Sequence, residues 1–474
     1  MKLGSLLVSS LVFALLNLGI AQSQDKSDHP AAAAATAAAA STAAAASTAA
    51  AASTAATPPA APNGAATSAA SANDAIPLGT TITMENWQQY KQFMPEGMIG
   101  FFDGRFPWKM PPDVKMDVGP TVLHPLPKNY LEATEKYSGQ VKVVELADGA
   151  LTLSNYQGGI PFPNPADPHM GWKILANVWY RYLPHLIVDT YGSGCSVDSG
   201  GTVNCKAAQI INRQLAYNTD PGTPTNYPGA QDKFSSEYLM VLEPEQDRYT
   251  ATLTLSYADP ARPEDVFLFL PSLRRYQPVS AAARCAPNQG TDSTQEDYRF
   301  GFNSNITEAK VDYLGEKKIL TMMDYTLPSG TFPEDYDMPL GWPTPAWGKW
   351  QLRDVYVISV SKIPSKAAGY CYGKRVMYVD KATYAPLWED LYDSDMKAWR
   401  VFGMFLRSMD VPGVGQVTAS GAMVWAFWDV QHQHSTFFID PTADHPYYLN
   451  EQAPPEFTDL TRYTSPAGLN LIMR

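Results

Sequence analysis

The chain has 474 residues, a formal net charge of −12 and an aromatic content of 12%. A pI near 5.1 excludes nucleic acid or an anionic membrane surface as the main partner. The 39 Pro and 32 Gly demand many turns, which with 26 Tyr and 11 Trp suits a β-rich fold better than a helical one.

Residues 1–21 read as an export leader. Lys2 gives a positive start, Leu6 to Leu18 is apolar, and Gly19-Ile20-Ala21 is a small-x-small cleavage pattern before Gln22. The run is too short to cross a bilayer comfortably. Residues 22–74 form an Ala-rich tether with recurring Ser-Thr pairs, closed by Pro58, Pro59 and Pro62. Such a segment buries no core and serves for reach. Residues 75–474 are read as one domain, since no second linker interrupts them.

Within that domain Thr83 is expected to cap a helix through Phe93, with Pro95 ending it. A hairpin is expected over 140–156 around Asp148-Gly149. Asp167-Pro168 should open a helix whose body is Trp172 to Leu183, with Ile174, Leu175, Val178, Trp179 and Tyr182 as its apolar stripe. Strands follow at 207–217 and 238–242. Residues 248–276 are the most legible stretch. Thr250, Thr252, Thr254 and Ser256 alternate with Ala251, Leu253, Leu255 and Tyr257, giving one wet face and one apolar face. Asp259 to Pro263 is a turn. Val266-Phe267-Leu268-Phe269-Leu270 is apolar on both faces, and the basic pair Arg274-Arg275 follows. Further strands are predicted at 319–325, 352–360, 375–380, 385–392, 399–406, 422–430 and 435–439. Few helices among so many adjacent strands predict a mainly β (α+β) fold: a large curved antiparallel sheet, an incomplete barrel, with helices on its concave side.

Four cysteines in an exported chain allow two disulfides. Cys195 and Cys205 flank a hairpin-like loop and are paired on that ground, which leaves Cys285 with Cys371. Neither a C-x-x-C nor a Cys/His cluster suggests a metal. His432 and His434 alternate on a strand end, with Asp429 and Asp440 as the only nearby acids, and are read as surface histidines. The acids Glu389-Asp390, Asp393 with Asp395, and Glu334-Asp335 are read as solvated loop acids. Gly192-Ser193-Gly194 does not make a nucleophile elbow, and no phosphate or dinucleotide loop is found. No catalytic residue, metal or cofactor is therefore assigned.

Gly158-Gly159-Ile160-Pro161-Phe162-Pro163-Asn164-Pro165, followed by Gly171, Asn177 and Arg181-Tyr182, resembles the Gram-negative family called domain of unknown function 1329. Leu268 to Arg275, Lys374 to Asp380 and Pro455-Glu456-Phe457-Thr458 resemble it too. The resemblance implies a curved sheet similar to the outer-membrane lipoprotein carrier and receptor proteins, which bind acyl chains in a half-barrel. It implies a periplasmic, non-enzymatic binding or carrier protein for a lipid or other hydrophobic molecule, working with an inner- or outer-membrane transporter. Phe267 and Phe269, or Leu268 on the opposite face, are expected in the cavity, with Trp179 and Tyr276 as further candidates. Arg274 and Arg275 are expected at the mouth to meet an anionic head group, or else as edge charges that block strand pairing. The alternatives are an exported hydrolase and a ligand-free structural partner of an outer-membrane complex.

Overall fold

A computed structural model describes residues 75–473 apart from 124, 231, 327–331, 418–422 and 440–444. The leader, the tether, His29, His124 and Asp440 lie outside the described residues. Fourteen strands make one open antiparallel sheet. Six come early in the chain: β1 (Leu186–Val197), β2 (Val203–Gln214), β3 (Lys233–Glu243), β4 (Ala251–Tyr257), β5 (Asp265–Leu270) and β6 (Arg275–Pro278). Eight come later: β7 (Ala309–Met322), β8 (Trp350–Lys362), β9 (Lys374–Asp380), β10 (Pro386–Tyr392), β11 (Ala398–Leu406), β12 (Met423–Asp429), β13 (His434–Ile439) and β14 (Tyr447–Leu449).

In space the order runs β6-β5-β4-β3-β2-β1-β13-β12-β11-β10-β9-β8-β7. The first strand therefore lies in the middle. Its end, Ser193 to Val197, pairs with β13, and its start, Ile187 to Asp189, pairs with β14. Between them the register shifts at Asp189/Gly192. A Cβ on Gly192 would fall 2.3 Å from Asp189 Oδ2, so a side chain in this bulge would have to displace the buried Asp189 carboxyl. The two open edges are β6 and β7. They are consecutive in the chain, so residues 279–308 must cross from one edge of the sheet to the other.

The helices are α1 (Glu96–Phe102), α2 (Lys128–Tyr137), α3 (Met170–Trp179), α4 (Leu460–Thr464) and α5 (Pro466–Leu469). The sheet has apolar packing on one face from both chain ends. On β10 and β12 this outer face carries Trp388 and Trp428, stacked 6.0 Å apart, with Phe101 of α1 edge-on to Trp428 at 5.3 Å. On β3 to β5 it carries Tyr238, Leu253, Leu255 and Phe269, covered by Tyr463 and Leu469 from the C-terminal helices. The inner face receives α3 and the crossing segment. Gly171 of α3 sits so close to Val311 and Tyr313 of β7 that a Cβ would reach 3.0 Å from the Tyr313 nitrogen.

Most expected strands are present, and the 140–156 hairpin forms as Lys142–Glu145 against Leu151–Ser154. Four expectations need correction. The segment before Pro95 is a 3-10 stretch, Trp87–Phe93, preceded by Asn86. Pro95 does end it, but also starts α1, because proline's fixed φ suits a helix entrance. The next helix stops at Trp179, not Leu183. Arg181 Nη1 donates to the Val178 carbonyl and Arg299 Nη1 to that of Trp179, both at 2.6 Å, so side chains take over the last carbonyls. The third concerns β1, which was not anticipated. Fourth, the wet face of β4 does not meet bulk water. Thr254 and Ser256 are buried on the inner face, where Gln295 Nε2 of the crossing segment donates to Thr254 Oγ1.

Candidate functional site

The crossing segment is held to the inner face by buried charge. Asp297 accepts from Arg375 Nη2 of β9 at 3.0 Å and from Tyr372 Oη at 2.8 Å. Arg375 Nη1 also donates to Glu389 Oε2 of β10 at 2.8 Å, and all three charged groups are about 1% exposed. Arg400 Nη1 donates to Tyr372 Oη. Nearer β13, Asp292 Oδ2 lies 2.6 Å from His434 Nδ1 and accepts from Thr436 Oγ1 at 2.7 Å. The Asp292 carboxylate holds the His434 imidazole above its usual range. Such pairs are costly to desolvate and costlier to break, so they fix where the segment lies more than they add stability.

The start of the same segment is held covalently. Cys285 is bonded to Cys371, in the loop between β8 and β9, and Cys195 is bonded to Cys205 across β1 and β2. Arg284, beside the first of these cysteines, bridges Glu264 and Glu296, with Nε 2.5 Å from Glu296 Oε1. Burial would raise Glu296, but Arg284 and Lys362 outweigh it and hold the carboxyl below its ordinary range. Burial wins at Glu264, which is pushed up to about 7 against the pull of Arg284. Glu237 of β3 is likewise pushed up to about 7, by burial first and by Glu264 second.

Between the crossing segment and the sheet lies a cavity of about 420 Å³. Thr252, Val266 and Leu268 form its sheet wall, and Val279, Ala286 and Pro287 form the opposite wall. Its charged groups are Glu264, Arg284, Glu296, Glu308 and Lys362, with Asn288, Gln289, Gln295 and Asn305 as further polar lining. A smaller, mainly apolar cavity of about 100 Å³ lies over β1 to β3 and β13, lined by Gly194, Ala208, Ile210, Leu239 and Phe438. Asn288 and Gln289 belong to the walls of both. A wider and more open groove of about 850 Å³ runs where residues 75–78 and 118–123 pass β8 and the end of β9, above the buried bidentate pair Arg353–Asp380.

Among the residues singled out from sequence, Leu268 lines the main cavity. Phe267, Phe269 and Tyr276 lie on the outer face, in the cluster under the C-terminal helices, with Phe267 edge-on to Tyr276 at 5.6 Å. Trp179 is buried against Phe234 beneath the Arg299 guanidinium. Arg274 and Arg275 are exposed at the start of edge strand β6, where a charge and the following Pro278 discourage further pairing. The cavity's charged residues were not anticipated. Glu264 reads as part of a turn, and its partners are distant in sequence.

Two acid readings change. Glu389 and Asp390 are buried, not solvated. Glu389 faces inward to Arg375, while Asp390 faces outward, accepting from the Gly97 backbone at 2.8 Å and from Tyr378 Oη at 3.1 Å. Strand alternation sends the neighbours to opposite faces, each to its own donor. Asp393 does sit in a turn, accepting from the backbone of Asp395 and Lys397. His432 and His434 each meet a separate carboxylate, Asp429 and Asp292. Among the described residues no group of three or more His, Cys, Asp or Glu is placed to hold a metal.

The fold is thus an incomplete barrel, an open antiparallel sheet with a crossing segment over a partly apolar cavity. The family described as protein of unknown function DUF1329 matches residues 81–469, and the chain belongs to that family. Solved structures are similar at low identity. An outer-membrane lipoprotein-sorting-type domain from Vibrio parahaemolyticus is 14% identical over 65% of this chain and 99% of its own, with a TM-score of 0.42. A DUF1329 family protein from Desulfovibrio piger is 14% identical over 63% of this chain and 100% of its own, at 0.42. A LolA superfamily protein from Nitrosomonas europaea is 12% identical over 61% and 97%, at 0.35. No curated protein matches the sequence.

Proposed function

We propose that this protein is an exported, periplasmic carrier that shields a lipid or other hydrophobic molecule from water and passes it to or from an envelope transporter. The observation that carries the reading is the cavity of about 420 Å³ beneath the crossing segment. Its volume lies within the range of small-molecule sites, and Val266, Leu268, Val279 and Pro287 give it apolar walls. Each Å² of apolar ligand surface hidden there contributes about 25 cal/mol. Export is supported by the leader-like start and by the two disulfides, which suit an oxidising compartment. No described helix is long and apolar enough to cross a membrane. The protein is read as a binder, not an enzyme, because the cavity's cations are tied to carboxylates in ion pairs rather than presented to a substrate.

The test is mass spectrometry of organic extracts from gently purified protein, joined to a liposome transfer assay. Reproducible co-purifying lipid and measurable transfer are expected. Clean apo protein that moves no lipid between vesicles would overturn the proposal.

A further inference from the structure

We infer that the main cavity selects an amphiphile whose polar end carries no negative charge. The inference rests on the carrier reading and specifies its cargo. Three carboxylates, Glu264, Glu296 and Glu308, line this cavity against two cations, Arg284 and Lys362. Both cations are already engaged. Arg284 reaches Glu264 and Glu296 with two of its nitrogens, and its Nη2 donates to the Asn303 carbonyl at 2.9 Å. Lys362 Nζ donates to Glu308 Oε2 at 2.8 Å and lies over the Tyr370 ring at 4.7 Å. A carboxylate or phosphate entering here would have to displace a buried carboxylate from its partner. Otherwise it would sit unpaired beside an excess of negative charge, and either is costly away from water.

The unpaired polar atoms of the lining residues do not choose between a donor and an acceptor head, since Glu296 Oε2 and Asn288 Nδ2 are both enclosed with no hydrogen bond of good geometry. The apolar wall of Val266 and Leu268 lies on the same cavity and would take the chain. The two requirements, an apolar body and a head free of negative charge, are met by a long-chain alcohol or amine.

The experiment is native mass spectrometry with competition at pH 8, on the oxidised full chain, using dodecanol, dodecylamine, dodecanoate, dodecyl phosphate and dodecane. Dodecanol and dodecylamine are expected to bind at least about tenfold more tightly than the two anions, a difference of about 1.4 kcal/mol. Glu296→Gln should narrow the gap between dodecylamine and dodecanoate. Glu308→Gln, at a more open position and so safer for folding, should narrow it in the same direction. Equal or tighter binding of dodecanoate would overturn the head-group inference and leave the carrier reading standing. Binding of none of the five, dodecane included, would overturn both.

Discussion

Breaking the disulfide that holds the crossing segment gives the most direct test of how this fold is secured. The perturbation is the pair Cys285→Ser and Cys371→Ser, compared with Cys195→Ser and Cys205→Ser. The bonds span sequence separations of 86 and 10 residues. In the chain-entropy account a cross-link stabilises by restricting the unfolded chain, and more so as the closed loop lengthens. The long loop is then worth about 4.6 kcal/mol and the short one about 2.8 kcal/mol. Ladder geometry sharpens the contrast, since Cys195 and Cys205 already face each other in adjacent strands and keep their backbone pairing without the bond. At its start the crossing segment keeps one backbone bond to the sheet, Val279 N to the Val266 carbonyl at 2.8 Å, and beyond it Arg284 would be left as the main anchor. The assay is urea unfolding of the oxidised chain followed by tryptophan fluorescence. The Cys285/Cys371 variant should lose roughly 4–5 kcal/mol and the other roughly 3. Equal losses, or a larger one for the short loop, would refute the reasoning. It would also show that native contacts rather than loop length set the values.

Further outcomes are expected. Phe269→Ala should cost about 3–5 kcal/mol in the same unfolding assay with lipid co-purification intact, because Phe269 packs under the C-terminal helices. Leu268→Asp should do the reverse, sparing stability by comparison and abolishing co-purification, since Leu268 lines the cavity. Arg375→Met should destabilise by about 3–5 kcal/mol, because it strands the buried carboxyls of Glu389 and Asp297, whereas Asp393→Ala in an exposed turn should change little. Stability should fall as pH rises from about 4.5 to about 7, the interval over which unfolded glutamates have released protons that native Glu237 and Glu264 still hold. Glu237→Gln should flatten that slope in a series of melting curves. His434 acts in the same sense. The part it gains from Asp292 is present below 6.5 and lost as pH climbs through its raised native value.

The strands were legible because alternation survives in them. Thr250 to Tyr257 shows which residues share a face, and the structure keeps that division. What the pattern does not say is what each face meets. Polar side chains on one face suggested water, and the partner is instead a polar segment from some forty residues later, Gln295 on Thr254 being the clearest contact. Strand β1 is hard to read because Gly192 and Gly194 interrupt its apolar run, and Gly192 sits at a bulge in the pairing with β2. The cavity was least legible of all. Glu264, Arg284, Glu296 and Lys362 come from a turn, two parts of the crossing segment and the end of β8, and no local period links them. Glu389-Asp390 misled for the same reason, since a charged pair in sequence carries no record of the Arg375 and Gly97 that wait for it.

The central position of β1 has a consequence for how the chain reaches its native state. From β1 to β6, and again from β8 to β13, each strand pairs with its neighbour in sequence, so both blocks can assemble from short-range hairpins. The seam between them joins Cys195 to Phe437, and most of the domain must be synthesised before it closes. Pairing over so long a loop is entropically late and slow. Until then the outer edge of β1, with its apolar start Leu186-Ile187-Val188, stays uncovered. The chain is in that state while it waits for its own C-terminal strands, and the edge of β1 is then where self-association or a holding chaperone would act first.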